Sequence, residues 1–251
     1  MAGTGPVGPP SSSDLFDDVA VGSNNWAVAG LRTASGRSIV ADDMHLGLQV
    51  PTIWYRACFV WPSEKSVGEM QTITGVSLPG TLAVVVGSNQ HVAWGFTNAE
   101  GDWSDLVVLD VEPTDPNSYK TPTGKQKIET VRETIKVKGE PDETLEVQET
   151  IWGPIVDKDY KGRPRAHHWV ALDPNGINFG LVGMESVRTL EEAIEQANKS
   201  GSPEQNFVVG DDKGRIAWTI LGQIPRRVGF DGWTPTSWAD GARRWDGYLK
   251  P

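Results

Sequence analysis

Between Val19 and Val111 the chain consists of short apolar runs that are rich in β-branched and aromatic residues. Each run ends at Gly, Pro, Asn or Asp. Runs of this length and composition, bounded by turn-forming residues, are typical of β-strands. The pattern therefore predicts a strand-rich fold over this region. The runs are SIVADD, IWYRACFVW, MQTITGVSLPG, LAVVVGS and DLVVLDVE.

The segment that follows predicts a loop and then a hairpin. Residues 112–125 are rich in Pro, Thr, Asp and Gly, which favours a loop. The next stretch, ETIKVKGEPDETLEVQE, alternates apolar with charged residues on both sides of Gly-Glu-Pro-Asp. This alternation predicts a β-hairpin with one packed face and one solvated face. It places Ile135 and Val137 opposite Leu145 and Val147.

The clearest helix signal is TLEEAIEQANKSG. Thr189 and Glu192 have the spacing of a capping box, and Gly201 predicts the end of the helix. A second hairpin is predicted over NFVVGDDKGRIAWTILGQIP, with its turn at Asp-Asp-Lys-Gly. The fold class expected is therefore α+β and strand-dominated. The apolar stripe of the helix consists of Leu190, Ala193, Ile194 and Ala197.

Composition narrows the classes of function. The net charge of −10 argues against non-specific binding to nucleic acid or to an anionic membrane, and no apolar run is long enough to insert into a membrane. The eleven Trp residues indicate a β-rich core or an apolar ligand pocket. Cys58, the only cysteine, lies in an apolar run and is predicted to be a small core residue.

The N-terminal residues have little apolar surface to bury. Residues 1–22 are rich in Gly, Pro, Ser and Asp and are interpreted as a linker or spacer remnant. They lack the basic start and the apolar centre of a signal peptide. Residues 23–251 then form the predicted folded domain.

Several common catalytic motifs are absent from the sequence. It contains no phosphate-binding Gly-rich loop, no C-x-x-C and no H-E-x-x-H. His167 and His168 are adjacent, so in a strand they would point to opposite faces and could not share one metal ion. No cofactor is therefore expected for the chemistry.

Ser23 allows two interpretations. In GSNN it could form part of an ordinary turn, and local sequence favours that interpretation. Alternatively, cleavage of the Gly22–Ser23 bond would give Ser23 a free α-amine, whose ordinary pKa is about 7.7–8.0. Such an amine can act as the general base for its own hydroxyl.

Three separated segments support the second interpretation. They are GSNNWAVAGLRTASGRSIVADDMHLGLQVPTIWY, GVSLPGTLAVVVGSNQHVAWGFTNAEGDWSDL and QNFVVGDDKGRIAWTILGQIPRR. Together, and in this order, they resemble the penicillin acylase family of N-terminal-nucleophile hydrolases. The resemblance implies part of a four-layer αββα sandwich. It also implies a zymogen that hydrolyses linear amides, such as the acyl side chain of a β-lactam antibiotic or an N-acyl-homoserine lactone.

The resemblance also assigns residue roles. Ser23 corresponds to the nucleophile that autoproteolysis at Gly22–Ser23 exposes. His45 corresponds to the position beside the nucleophile, although it could also be a loop histidine bonded to a neighbouring aspartate. Asn98 corresponds to the residue whose backbone N–H stabilises the oxyanion.

Other residues match the pocket and metal positions of relatives. Leu46, Val86 and Phe96 correspond to residues of the acyl pocket, while Leu46 and Val86 could equally belong to the core. Asp102 and Asp105 correspond to calcium ligands in some members, because carboxylates suit a hard cation. A polar loop without metal is the alternative for this pair.

The chain also departs from the family pattern. An acylase α-chain would precede the spacer, and a later β-chain segment would supply an Asn side chain as second oxyanion donor. The chain is therefore interpreted as an incomplete β-chain, with both missing segments as expected partners. A catalytically inactive β-rich scaffold is the competing interpretation. Kinship implies a periplasmic or secreted location.

Overall fold

The structure is a computed structural model that describes residues 22–46, 50–63 and 67–250. The predicted linker lies outside the described residues, apart from Gly22. Strands predominate, which confirms the strand-dominated α+β class. The residues group into two compact units. The first unit contains the described residues up to Asn98 together with Val182–Ile194 and Asn206–Thr219, and the second contains Ala99–Leu181, Glu195–Gln205 and the chain from Ile220 onward.

The described part of the chain forms short strands, in agreement with the runs in the sequence. The strands are β1 Ser23–Val28, β2 Ile39–Met44, β3 Tyr55–Pro62, β4 Met70–Ser77, β5 Val86–Ser88, β6 Val92–Asn98, β7 Ser104–Val108, β8 Val111–Glu112, β9 Asp115–Thr121, β10 Gly124–Lys127, β11 Glu129–Ile135, β12 Glu143–Thr150, β13 Gly153–Lys158, β14 Pro164–Trp169, β15 Gln205–Asp211, β16 Ile216–Leu221, β17 Pro225–Val228 and β18 Arg244–Tyr248.

In the first unit, β1 and β2 form an antiparallel pair that packs against β6. β6 belongs to a six-stranded sheet of order β16-β15-β6-β5-β4-β3. Large apolar side chains from the middle of this sheet are fully buried, and the Trp94 indole N–H donates to the Val85 carbonyl at 2.9 Å. The buried set includes Ile73, Val92, Trp94, Phe207 and Val209.

The second unit contains three sheets. Their strand orders are β11-β12-β13-β14-β7, β10-β9-β8 and β17-β18. The core beneath them is aromatic, with Trp152 in contact with both Tyr119 and Trp238. Burial of these aromatic rings confirms the expectation that part of the Trp content builds a β-rich core.

The predicted helix is α1, Leu190–Lys199. The N-cap bond of the predicted capping box is present, because the Glu192 backbone N–H donates to Thr189 Oγ1 at 3.2 Å. The Glu192 carboxylate accepts from the Arg188 backbone N–H at 2.7 Å, one residue before the position that a capping box uses. Leu190, Ala193 and Ala197 of the predicted stripe are buried. Among the residues described, no helix is long and apolar enough to span a membrane.

The loop predicted for 112–125 is wrong, because this segment contains β9 and the start of β10. Tertiary burial overrides the turn-rich composition here. Tyr119 is fully buried in the core, and its hydroxyl oxygen accepts from the Ile151 backbone N–H at 2.8 Å. A single buried aromatic anchor therefore fixes β9 between β8 and β10.

The hairpin of β11 and β12 forms, but its predicted register is wrong. Val131 lies opposite Val147, and Ile135 lies opposite Glu143. The connection covers residues 136–142 rather than the four-residue turn, so the pairing shifts. Ile135 and Leu145 are 48% and 51% exposed, which means that the described residues do not cover the face predicted to be packed.

Cys58 is exposed, so its prediction as a core residue is wrong. It lies on β3, the outermost strand of the six-stranded sheet, where its sulfur accepts a hydrogen bond from Thr74 Oγ1 at 3.3 Å. Most side chains of β3 are exposed on both faces among the described residues, so the apolar run does not indicate a buried strand.

Candidate active site

Ser23 is the first residue of β1, in the first unit. Gly22 and Ser23 are both exposed, and Ser23 pairs with Met44 of β2. The chain is therefore extended from Ser23 onward rather than turned, and the strand leaves the Gly22–Ser23 bond at its accessible end. The turn interpretation of Ser23 does not match this conformation.

His45 lies beside this bond. Its Nε2 atom is 3.0 Å from Asp43 Oδ2 and 3.4 Å from Asn24 Nδ2. A methyl group placed on Gly22 would lie 4.0 Å from His45 Nδ1, so the ring is adjacent to the residue that precedes Ser23. The contact with Asp43 is also the one that the loop-histidine interpretation predicted. The geometry thus accommodates both a structural and a catalytic role for His45.

Strand alternation assigns the two faces of the β1–β2 pair. Ser23, Asn25 and Asp42 share one face, because cross-strand partners and residues two apart point the same way. This face is directed towards β6, since the Asn25 amide donates to the Gly95 carbonyl at 3.3 Å. Asn24 and Asp43, which contact His45, belong to the other face. Ser23 therefore shares its face with a carboxyl group, Asp42, that sequence reasoning did not propose for the site.

The Asp42 carboxyl is buried between the β1–β2 pair and β6. Both of its oxygens are inaccessible, and neither has a hydrogen bond of normal geometry among the described residues. Gly95 makes the close approach possible, because a Cβ there would lie 2.8 Å from Asp42 Oδ1. Burial raises the pKa of Asp42 from 3.8 to about 6, the Phe96 backbone N–H opposes this rise, and the Asp43 charge adds to it.

Asn98 ends β6 and is exposed. Its carbonyl oxygen accepts a hydrogen bond from Asn206 Nδ2 at 3.1 Å. Asn98 and Ser23 thus belong to the same unit, at the ends of two strands that pack against each other. The role of the Asn98 backbone N–H as an oxyanion donor stays a prediction.

The residues predicted for the acyl pocket also belong to the first unit. Phe96 lies on β6 and Val86 begins β5, and both are partly buried. Leu46 is 42% exposed, which argues against the core alternative for this side chain. Their contact with an acyl group stays a prediction.

Asp102 and Asp105, in the second unit, both form ion pairs with the guanidinium group of Arg227. Arg227 Nη2 is 3.1 Å from Asp102 Oδ1, and Arg227 Nε is 2.9 Å from Asp105 Oδ2. The Trp245 indole N–H donates to the same Asp105 oxygen at 2.5 Å. Gly232 has φ +87°, and a Cβ there would lie 2.6 Å from Arg227 Nε. Sequence reasoning missed Arg227 because it lies 122 residues from Asp105.

We expect this arrangement not to hold a calcium ion. The guanidinium occupies the position between the two carboxylates that a cation would need. The structure also brings together no group of three His, Cys, Asp or Glu side chains suited to a metal, within the residues that it describes. Burial raises the pKa of Asp105, while the bonds from Trp245 and Arg227 lower it in part. The Arg227 charge is therefore the cation that compensates Asp105.

We expect the Asp42→Asn variant to differ from the wild type mainly above neutral pH. Since the pKa of Asp42 is raised to about 6, its contribution to stability is present below about pH 4 and lost as the pH rises through about 6. The amide carries no charge at any of these pH values. The urea midpoint of the variant, relative to the wild type, should therefore be higher at pH 8 than at pH 4.

The control is Asp142→Asn, which removes an exposed carboxylate that pairs with Lys136. Its difference from the wild type should change less between pH 4 and pH 8 than that of Asp42→Asn, because an exposed ion pair contributes only about 0–1 kcal/mol. An Asp42→Asn variant whose difference changes no more than that of the control would disprove the buried state of Asp42.

We expect calcium to leave the thermal midpoint of the chain unchanged when millimolar CaCl2 replaces EDTA. The Arg227→Met variant should lose about 3 kcal/mol of unfolding free energy, because it leaves the buried Asp105 carboxylate without its cation. Differential scanning calorimetry measures both quantities. A calcium-dependent rise in the wild-type midpoint would contradict the assignment of Arg227 as the compensating cation.

Comparison with known proteins supports the sequence resemblance. Residues 4–251 match the family model described as penicillin amidase. Acyl-homoserine lactone acylase QuiP of Pseudomonas aeruginosa is 29% identical over 243 residues, which cover 91% of this chain and 28% of that protein. Penicillin acylase 2 proenzyme of Pseudomonas sp. (strain SE83) is 28% identical over 238 residues, which cover 94% of this chain and 30% of that protein.

A solved structure shows the same fold. The thermostable penicillin G acylase from Alcaligenes faecalis matches with a TM-score of 0.74 and 20% identity, over 90% of this chain and 40% of that chain. The chain thus spans less than a third of the length of the two curated relatives. The match to the family model covers nearly every residue, and the chain belongs to the penicillin amidase family.

Proposed function

We propose that the protein hydrolyses a linear N-acyl amide, with Ser23 as an N-terminal nucleophile produced by self-cleavage at Gly22–Ser23. The observation that carries this proposal is the placement of an exposed Gly22–Ser23 bond at the start of β1, beside His45. Membership of the penicillin amidase family supports it. So do relatives named as acyl-homoserine lactone acylase and penicillin acylase.

Self-cleavage would begin with attack of Ser23 Oγ on the Gly22 carbonyl carbon. The hydroxyl proton is transferred to the departing Ser23 nitrogen, the Gly22–Ser23 C–N bond breaks, and an ester joins the Gly22 carbonyl to Ser23 Oγ. Water then hydrolyses this ester, which leaves a Gly22 carboxylate and a Ser23 α-amine. Glycine before the serine offers no side chain to obstruct the attack. His45, held by Asp43, would form the polar wall beside this bond.

The same serine would then act on the amide substrate. Its α-amine removes the proton from Oγ, directly or through one water, while Oγ attacks the substrate carbonyl. The Asn98 backbone N–H stabilises the resulting oxyanion, and the protonated amine passes its proton to the leaving nitrogen. Water then releases the acyl group as an acid. The α-amine must be neutral, so activity should increase up to pH values near its ordinary pKa of about 7.7–8.0.

The substrate class proposed is a small amide with an apolar acyl group, either the acyl side chain of a β-lactam or an N-acyl-homoserine lactone. Leu46, Val86 and Phe96 would contact that group. An acylase α-chain and a later β-chain segment with an Asn oxyanion donor are the proposed partners. A periplasmic or secreted location is likewise proposed from kinship. The chemistry assigned to Ser23 requires no cofactor.

Intact-mass spectrometry of the expressed chain tests the nucleophile. We expect the mass to decrease by that of the first 22 residues, because self-cleavage exposes Ser23 as the new N-terminus. The Ser23→Ala variant should keep its full mass, whereas Ser23→Cys should still cleave because a thiol is also a nucleophile. Far-UV circular dichroism verifies that each variant is folded.

Ser35→Ala is the matched control, since Ser35 is an exposed serine in the same unit whose hydroxyl oxygen accepts from the Arg37 backbone N–H. It should cleave like the wild type. A folded wild-type chain that keeps its full mass would instead favour the inactive scaffold interpretation.

A further inference from the structure

Two asparagine side chains connect the strand of the nucleophile with the strand of the oxyanion donor. Asn25, two residues after Ser23 on β1, donates from Nδ2 to the Asn206 carbonyl at 2.8 Å. The same Nδ2 atom is 3.3 Å from the Gly95 carbonyl on β6. Asn25 therefore connects β1 to both β15 and β6.

The side chain of Asn206 makes a second hydrogen bond, to the strand of the oxyanion donor. Its Nδ2 atom donates to the Asn98 carbonyl at 3.1 Å, at the end of β6. The Asn25 side chain thus bonds to the backbone of Asn206, and the Asn206 side chain bonds to the backbone of Asn98. The contacts run from Asn25, on the same strand as Ser23, to Asn206 and from there to Asn98. All of these residues belong to the first unit.

The residue types are unusual for these positions. Asn25 is the third residue of β1 and Asn206 the second of β15. Asparagine is depleted in strands, because its short polar side chain favours turns and caps over pleated, half-buried surfaces. A β-branched residue would suit the strands better. Two asparagines that bond the same small region of backbone therefore indicate a requirement beyond strand formation.

Oxyanion stabilisation supplies such a requirement. A backbone N–H stabilises the transition state only when it lies about 2.7–3.1 Å from the developing oxyanion. Catalytic groups need to be held within about 0.5 Å of their productive geometry. Asn98 is the exposed last residue of β6, and the next backbone N–H, that of Ala99, donates to the Glu204 carbonyl at 3.0 Å. The hydrogen bond from the Asn206 side-chain amide to the Asn98 carbonyl further constrains this strand end.

We propose that Asn25 and Asn206 are positioning residues that fix the Asn98 backbone N–H relative to Ser23 for oxyanion stabilisation. This inference rests on the proposed function, because it assumes that Ser23 and Asn98 act on one carbonyl group. Neither asparagine touches the reacting atoms in this scheme. Their effect passes through the backbone of β6 and β15.

A boronic acid separates positioning from general structural support. Boronic acids add to a serine hydroxyl and form a tetrahedral anion that occupies the oxyanion site, whereas the matching carboxylic acid binds as a product without that adduct. Octylboronic acid with nonanoate, and benzylboronic acid with phenylacetate, cover aliphatic and aromatic acyl groups. Isothermal titration calorimetry measures the dissociation constants with the full chain.

We expect Asn206→Leu to weaken binding of the boronic acid about 10-fold or more, because displacement of an oxyanion donor by even 1 Å is costly. Binding of the carboxylic acid should stay within about 2-fold, since it does not use the donor in the same way. With an amide substrate, and with the proposed α-chain and later β-chain segment supplied, kcat should fall while KM changes little. Asn206→Asp, which keeps the size and loses the donor, provides a second variant if the leucine variant does not fold.

The control and a coupling measurement complete the test. Gln196→Leu removes a comparable bond, from a side-chain amide to the Gly180 carbonyl at 2.6 Å, and should leave boronic acid binding unchanged. Asn25→Leu should weaken boronic acid binding as well. Combined with Asn206→Leu, its effect should be less than additive, because both residues act through the same backbone segment.

The outcomes distinguish this inference from the proposed function. If the wild type binds the boronic acid and the Asn206 variants bind it equally well, the positioning role is wrong and the proposed function stands. If the variants lose both ligands in equal measure, their role is structural support and the inference is likewise wrong. If the folded wild type neither cleaves nor binds the boronic acid, the proposed function fails, and the positioning role fails with it.

Discussion

The packing of the β1–β2 pair against β6 is the constraint on which the candidate site depends. Antiparallel pairing makes Ser23 the first residue of a strand, with an accessible peptide bond before it. Because side chains alternate along a strand, the Ser23 side chain faces β6. His45 lies beside Gly22, on the opposite face of the β1–β2 pair. A shift of one residue in this register would reverse the two faces and separate Ser23 from β6. The site is therefore a consequence of strand register more than of any single contact.

This packing carries an electrostatic penalty. The Asp42 carboxyl lies against Gly95, where none of the described residues gives it a hydrogen bond of normal geometry, and burial raises its pKa to about 6. Arg227 shows the contrasting solution in the second unit, where a guanidinium compensates the buried Asp105. An uncompensated carboxyl near the proposed nucleophile is the kind of perturbed group that functional sites often contain. The favourable packing of the surrounding sheet maintains it.

Local patterns in the sequence were sufficient to predict the strands around Ser23 and the helix after Thr189. β-branched runs and a capping box depend on neighbouring residues, and both kinds of element form as expected. Long-range contacts explain the failures. Burial of Tyr119 produces β9 where composition indicated a loop, and Cys58 is exposed because the described residues leave most of β3 uncovered. Neither burial nor exposure of this kind can be derived from a short window of sequence.

The candidate site shows the same contrast between local patterns, which the sequence reveals, and long-range contacts, which it does not. Resemblance to a family singled out Ser23, His45 and Asn98 because their motifs are local. The Asn25–Asn206 bond joins residues 181 positions apart, and the Arg227–Asp105 pair joins residues 122 apart. Such partners have no signature in a single sequence, since the fold alone brings them together. The penicillin amidase family model and the acylase neighbour establish the scaffold on which these contacts occur.

We propose that the Ser23 hydroxyl is the nucleophile of an N-terminal-nucleophile hydrolase. Peptide mapping after treatment with phenylmethylsulfonyl fluoride tests it most directly, because this reagent sulfonylates an activated serine and leaves ordinary serine hydroxyls unmodified. We expect a single sulfonylated peptide that begins at Ser23 and carries the label on its Oγ. Labelling of a different residue, or a chain that begins at Ser23 and remains unlabelled, would show that Ser23 is not the nucleophile.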